Sequence, residues 1–138
     1  MFQHQIYVEF GDTDAAGIVY YPNYYKWMDN AAHAFFHHLG FSTRSLLTNN
    51  IATPLIEAHC TFKQPAFFHE MLTVEVSVTW LKEKVFQLQY EMIRGDQIIA
   101  HGYEIRAYTT FENHQPKAIP IPNDFKQALQ TNMIKGAK

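Results

Sequence analysis

Between Pro22 and Gly40 the chain carries one uninterrupted helical pattern, and most of the sequence beyond it alternates with a period of two. Proline suits the first helical position, where its missing N–H costs nothing, and glycine suits the residue just past the end. At 100° per residue, Tyr24, Trp27, Met28, Ala31, Ala34, Phe35 and Leu39 fall on one side, while Lys26, Asp29, Asn30, His33 and His37 fall on the other. A helix with such a face must bury it against something, and the strands supply the cover. Leu72, Val74, Val76 and Val78 alternate with Thr73, Glu75, Ser77 and Thr79; Phe86, Leu88, Tyr90 and Met92 alternate with Gln87, Gln89 and Glu91. Gln5 to Phe10 predicts a first strand ended by Gly11, Pro54 to Phe62 another, and Ile98 to Thr110 the last long one. A short helix or turn is expected around Ser42 to Leu47, and Pro120 and Pro122 precede a final helix at about Asn123 to Gln130. This order predicts an α+β fold with the long helix on one face of an antiparallel sheet. No repeat, linker or low-complexity tract divides the chain, so residues 1–138 are expected to form one domain with a loose tail from about Thr131.

Composition narrows the classes. With 47% hydrophobic and 15% aromatic residues but only 17% charged, the chain can bury a core without disulfide or structural metal, and disorder is excluded. Eleven Lys and Arg against thirteen Asp and Glu give a net charge of −2, without the basic footprint of a nucleic-acid binder. Cys60 is the single cysteine and cannot form an intrachain bridge. Met1 to Phe10 lacks the basic and apolar regions of a secretory signal, and the longest apolar stretch, Ala15 to Tyr21, falls far short of the ~20 residues of a membrane span. The expected place is the cytoplasm. A surface rich in rings and poor in charge also predicts a subunit interface.

Three groups of residues could carry chemistry. In the loop from Gly11 to Gly17, Asp12 and Asp14 lie shortly before a helix N-terminus, which presents free N–H groups and the positive end of the helix dipole. A carboxylate there can act as nucleophile or general base, and an N–H can stabilise an oxygen gaining negative charge. Pro22 cannot donate, so the donor is Tyr21 or a residue after the proline. The plain alternative is that both Asp side chains satisfy their own turn backbone, and composition alone favours it. Asp29, His33 and His37 follow at helical spacing. Two histidines one turn apart can share a metal, but the HExxH arrangement is absent, and a solvated face or subunit contact is the better reading. Lys82, Lys84, Arg94, Arg106 and Lys117 could hold phosphates, although edge charges usually only blunt sheet edges. Cys60 sits in a predicted strand as a small buried hydrophobe. His69, His101 and His114 have no motif around them.

The run from Glu9 through Gly11-Asp12-Thr13-Asp14-Ala15-Ala16-Gly17 to Tyr20-Tyr21-Pro22-Asn23-Tyr24 closely resembles the signature of hotdog-fold acyl-CoA thioesterases of the 4-hydroxybenzoyl-CoA thioesterase type. The resemblance continues through Trp27 and Asp29, Thr53-Pro54, Glu104-Ile105-Arg106 and Ala118-Ile119-Pro120. It implies an antiparallel sheet wrapped around one long central helix, two subunits pairing their sheets, and sites at the subunit boundary in a dimer or a dimer of dimers (a homotetramer). By resemblance, Asp14 is the catalytic carboxylate and the Tyr21 N–H polarises the thioester carbonyl. Thr53 lines the site from the partner subunit, Asp29 lies near the acyl pocket, and Lys84 meets the CoA nucleotide. No metal or separate cofactor is implied, since coenzyme A is part of the substrate. Ala15 departs from the proline of aryl-specific members, and Leu81-Lys82-Glu83-Lys84 is poorer in arginine. Tyr21 departs from the histidine common in members acting on short aliphatic esters, and this stretch leans toward the aryl type. A non-catalytic acyl-CoA or acyl-carrier-protein binding module on the same fold is the alternative.

Overall fold

The computed structural model describes residues 1–134. Strand β1 (Phe2–Tyr7) and a 3₁₀ turn over Phe10–Asp12 lead into helix α1 (Pro22–His38) and the short α2 (Thr43–Thr48). Then come β2 (Ile51–Ala52), β3 (Leu55–Phe62), β4 (Met71–Leu81), β5 (Val85–Arg94), β6 (Gln97–Ala107), β7 (Thr109–Thr110), β8 (Lys117–Ala118) and α3 (Asn123–Thr131). The long strands form one antiparallel sheet in the order β1-β4-β5-β6-β3, and β2, β7 and β8 form a small second one. The class is α+β, as the spacing predicts, with β1 and β3 at the sheet edges.

Helix α1 buries Tyr24, Trp27, Met28, Ala31, Ala32, Phe35 and Phe36. Its buried arc is wider than the predicted stripe, because α3 covers a second flank. Phe125 of α3 packs on Phe36, Phe41, Phe86 and Tyr108, with ring centroids 5.0–5.9 Å apart. Phe35 and Phe36 are therefore core. From the sheet, Leu72, Val74, Val76 and Val78 of β4 meet Phe86, Leu88, Tyr90 and Met92 of β5 in the same buried layer. Full burial of such side chains is worth about 1.5–3 kcal/mol each, so this alternation is what fixes the register.

Three boundaries differ from the sequence expectation. The first strand runs earlier, and Phe10 turns outward, 69% exposed, because the 3₁₀ turn takes the chain out of the sheet. The Asp12 carboxylate stabilises that turn by accepting the Glu9 N–H at 2.9 Å. The last long strand breaks at Tyr108, whose N–H donates to the Lys84 carbonyl at 2.9 Å, and Thr109–Thr110 pass to the second sheet. The tail does not come loose at Thr131, which still belongs to α3. Pairing between β1 and β4 reaches only Val76, so Val78 is free on that edge to bond the Asn132 carbonyl at 3.1 Å and the Ile134 N–H at 3.0 Å. The chain is tied down as far as Ile134; the rest of the expected tail lies outside the described residues.

Candidate active site

The loop before α1 is pinned at both ends. Thr13 bridges Val19, Ile18 bridges Phe67, and the Val19 N–H donates to the Ala66 carbonyl at 2.9 Å. Between these bridges Asp14 to Gly17 form a tight turn. The Gly17 N–H donates to the Asp14 carbonyl at 2.9 Å, and Gly17 has φ +82°, in the left-handed region that a side chain would strain. Asp12 is a scaffold residue. Besides capping the 3₁₀ turn, its carbonyl accepts the Tyr20 N–H at 2.9 Å and the Asn23 side-chain amide at 2.8 Å, binding loop to helix. Asp14 stands exposed at the tip. Its Oδ1 accepts the Ala16 N–H at 2.9 Å, and its Oδ2 has no hydrogen-bond partner among the described residues. The plain turn reading thus describes Asp12 fully and Asp14 by one oxygen only.

The helix start settles which donor is free. The Asn23 and Tyr24 N–H groups close turns onto the carbonyls of Tyr20 and Tyr21 at 3.0 and 3.1 Å, and Pro22 has no N–H. The Tyr21 N–H finds no acceptor among the described residues. It lies at the positive end of the helix dipole, beside a cavity of about 280 Å³ lined by Ile18, Val19, Tyr21, Tyr24, Phe62 and Pro65. Tyr24 packs edge-on to Phe62 with centroids 4.9 Å apart, giving this cavity an aromatic wall.

Asp29 and Thr53 meet at a second place. With His33, Pro54, Leu55 and Arg106 they line another cavity of about 280 Å³, two helical turns along α1 from Tyr21. Arg106 is not an edge charge: it is 2% exposed on the inward face of β6. Its Nε donates to Glu104 Oε1 at 3.0 Å, and its two terminal nitrogens reach the Thr53 carbonyl and Asp29 Oδ1, each at 2.8 Å. Tyr90 donates to the same Glu104 oxygen at 2.5 Å. Burial opposes the Arg106 charge, but Glu104, Tyr90 and Asp29 outweigh it and raise the guanidinium above its ordinary range. The Tyr90 phenol is held well above its ordinary range by burial and the Glu104 charge. The sequence signal for this network was phase. Glu104 and Arg106 share the inward register with Ala100 and Gly102, so a charge in that phase had to be paired inside.

The remaining candidates separate. Lys84 lies exposed in the β4–β5 turn, at the sheet end where Phe86 pairs with Arg106. It belongs to the Thr53 end, away from Asp14. His33 is engaged on both ring nitrogens, 2.5 Å from Thr43 Oγ1 and 3.4 Å from Asp29 Oδ1, while His37 is exposed. Arg94 pairs with Glu70 at 3.0 Å. Cys60 is buried, and desolvation pushes its thiol up to about 11.

A pinned loop carboxylate ahead of a central helix whose first N–H is free, with an antiparallel sheet around that helix, defines a hotdog-fold protein. The chain belongs to the thioesterase-like superfamily, whose model matches residues 8–129. It is 30% identical to the 4-hydroxybenzoyl-CoA thioesterase of Pseudomonas sp. (strain CBS-3) over 126 residues, 86% of this chain and 89% of that one. It is 27% identical to a 1,4-dihydroxy-2-naphthoyl-CoA hydrolase of Synechococcus elongatus, covering 94% and 95%. Among solved structures, a gentisyl-coenzyme A thioesterase superposes with a TM-score of 0.86 at 42% identity, covering 93% of this chain and 99% of that one.

Proposed function

We propose that this protein hydrolyses the thioester of an aryl-CoA, with 4-hydroxybenzoyl-CoA as the type of substrate, to the free acid and coenzyme A. The observation that carries the reading is the Tyr21 N–H at the start of α1, next to a loop that presents an Asp14 oxygen, neither of them with a hydrogen-bond partner among the described residues. The thioester carbonyl oxygen accepts from Tyr21, and Asp14 attacks the carbonyl carbon or takes a proton from the attacking water. Either route loads negative charge onto that oxygen, where a fixed donor at a helix N-terminus stabilises it. Coenzyme A leaves as the thiolate. On the nucleophilic route water then cleaves the acyl–Asp14 anhydride to the free acid, and on the general-base route the proton held by Asp14 passes to the departing sulfur. Either way the Asp14 carboxylate is restored. All of this chemistry belongs to the chain, so the reaction needs no metal and no redox cofactor.

Asp29 and Thr53 form the acyl end of the site in this reading, and Lys84, at that same end of its own chain, meets the nucleotide of the coenzyme A bound across the subunit boundary. Asp29 lies eight helical steps beyond Tyr21, a rise of about 12 Å, the span of an aromatic acyl group hydrogen-bonded at both ends. The relatives point the same way, since each of the three named acts on a ring-bearing acyl group that carries hydroxyls. Strand β3 is a sheet edge that exposes Leu55, Ile56 and Phe62, and it supports assembly into a dimer, or a dimer of dimers, with the site at the subunit boundary. No helix among the described residues is long and apolar enough to cross a membrane. A buried reduced thiol suits the cytoplasm.

The test is a panel of aryl and aliphatic acyl-CoAs with released thiol detected, run beside light scattering at micromolar concentration. Turnover of hydroxyaryl esters by an oligomer is expected. Tight binding of every ester without turnover would favour the binding-module alternative, and a stable monomer would remove the shared site.

A further inference from the structure

We infer that Arg106 is a positioning residue for substrate choice: by gripping Asp29 and Thr53 together it aims the free Asp29 oxygen at a hydroxyl on the acyl ring. The inference rests on the aryl-CoA reading above. Arg106 is the one side chain among the described residues that bonds both walls of the second cavity, Asp29 on α1 and the Thr53 carbonyl before β3. All three of its nitrogens are engaged, because Nε and one terminal nitrogen also hold Glu104. The Glu104 carboxylate is in turn fixed by Tyr90, so the guanidinium has no freedom to swing. Asp29 gives Oδ1 to Arg106 and to the weaker contact with His33, and Oδ2 accepts no hydrogen bond from any described residue. The Asp29 side chain is half exposed, so Oδ2 is open to a ligand.

A carboxylate paired to a guanidinium accepts hydrogen bonds and cannot donate them. The complementary group on an acyl ring is a hydroxyl. An unsubstituted ring would leave Oδ2 facing an apolar edge, and a site built to accept from a hydroxyl discriminates against a ligand without one. A shorter, single-headed lysine cannot hold Asp29, Thr53 and Glu104 at once, so the aim, and not the charge alone, depends on arginine.

Kinetics on a matched pair, 4-hydroxybenzoyl-CoA and benzoyl-CoA, tests this in the full-length protein. Arg106→Lys is expected to lose roughly tenfold in kcat/KM on the hydroxylated ester, mainly through KM, and less than about threefold on benzoyl-CoA. Asp29→Asn should lose the same preference, and the double variant should be no worse than either single one. Because a buried Glu104 without its partner endangers folding, Arg106→Met combined with Glu104→Gln serves as a second variant, and it should also lose the preference. Equal losses on both esters, or a preference kept in Arg106→Lys, overturn the role of Arg106 while leaving the reaction standing. If wild type hydrolyses neither ester, the assigned reaction itself fails and takes this inference with it.

Discussion

Met28 on the buried face of α1 rests against Gly102 in the middle of β6, so tightly that a Cβ on Gly102 would stand 2.8 Å from the Met28 sulfur. The same Cβ would collide with the His59 carbonyl of the neighbouring strand. The methionine could shift; the strand backbone could not. Gly102→Ala is therefore expected to destabilise the fold by about 1–3 kcal/mol, read as a loss of several degrees in Tm. A variant as stable as wild type would mean that helix and sheet are not in this close register.

Much of that register was legible in the residues. The Pro22 start, the Gly40 stop and the period-two runs from Leu72 and Phe86 each reflect a local rule, and the elements follow them. What failed depended on partners far along the chain. Phe10 keeps the alternation of its strand but leaves the sheet, because Asp12 and Glu9 close a turn across it. Thr131 looks like the start of a polar tail, yet Ile134 finds an open edge on β4 that no local pattern announces. At the site, the loop and the helix start were readable because their chemistry is local. Arg106 was not: Glu104 stands two residues away on its own strand, but its role depends on Asp29 arriving from α1 and Thr53 from the link between β2 and β3, and a basic residue in a strand is usually a surface one.

Asp14→Asn should lower kcat by roughly 10²–10⁴-fold, the usual contribution of a positioned carboxylate in proton transfer. The amide oxygen can still accept the Ala16 N–H, so the turn and the melting temperature should hold. Thiol release under saturating ester measures the first, and a thermal melt the second. Equal rates for variant and wild type on every ester would remove Asp14 from the mechanism.

His33 makes stability depend on pH. Burial, and then the nearby Arg106 charge, lower its pKa, although Asp29 and Glu104 pull the other way. The unfolded chain, with the ordinary value of about 6.5, therefore takes up the proton first as pH falls. The His33 contribution is fully present above about pH 6.5 and is lost as pH drops below it toward the depressed folded value. Burial lowers His4 in the same direction, so the wild-type slope has two sources. Between pH 7.5 and 5.5 the fall in Tm should be smaller in His33→Asn than in wild type, and identical slopes would contradict the depressed value.

Tyr21 offers a way to delete a backbone donor without changing the path of the chain. Its φ of −57° lies within the range that proline imposes, and it already precedes Pro22 with a helical conformation. Because its N–H bonds to nothing within the described residues, Tyr21→Pro removes no fold hydrogen bond found there. It does remove the proposed oxyanion donor. The expected loss is roughly 10²–10³ in kcat, as for other single donors of this kind, with Tm little changed. Tyr21→Ala keeps the N–H and removes only the exposed ring, so it should retain most of kcat and affect KM alone. If Tyr21→Pro melts like wild type and still turns over at the wild-type rate, the carbonyl is polarised by some other group. If Tyr21→Ala loses as much as Tyr21→Pro, the ring and not the N–H is what the reaction uses.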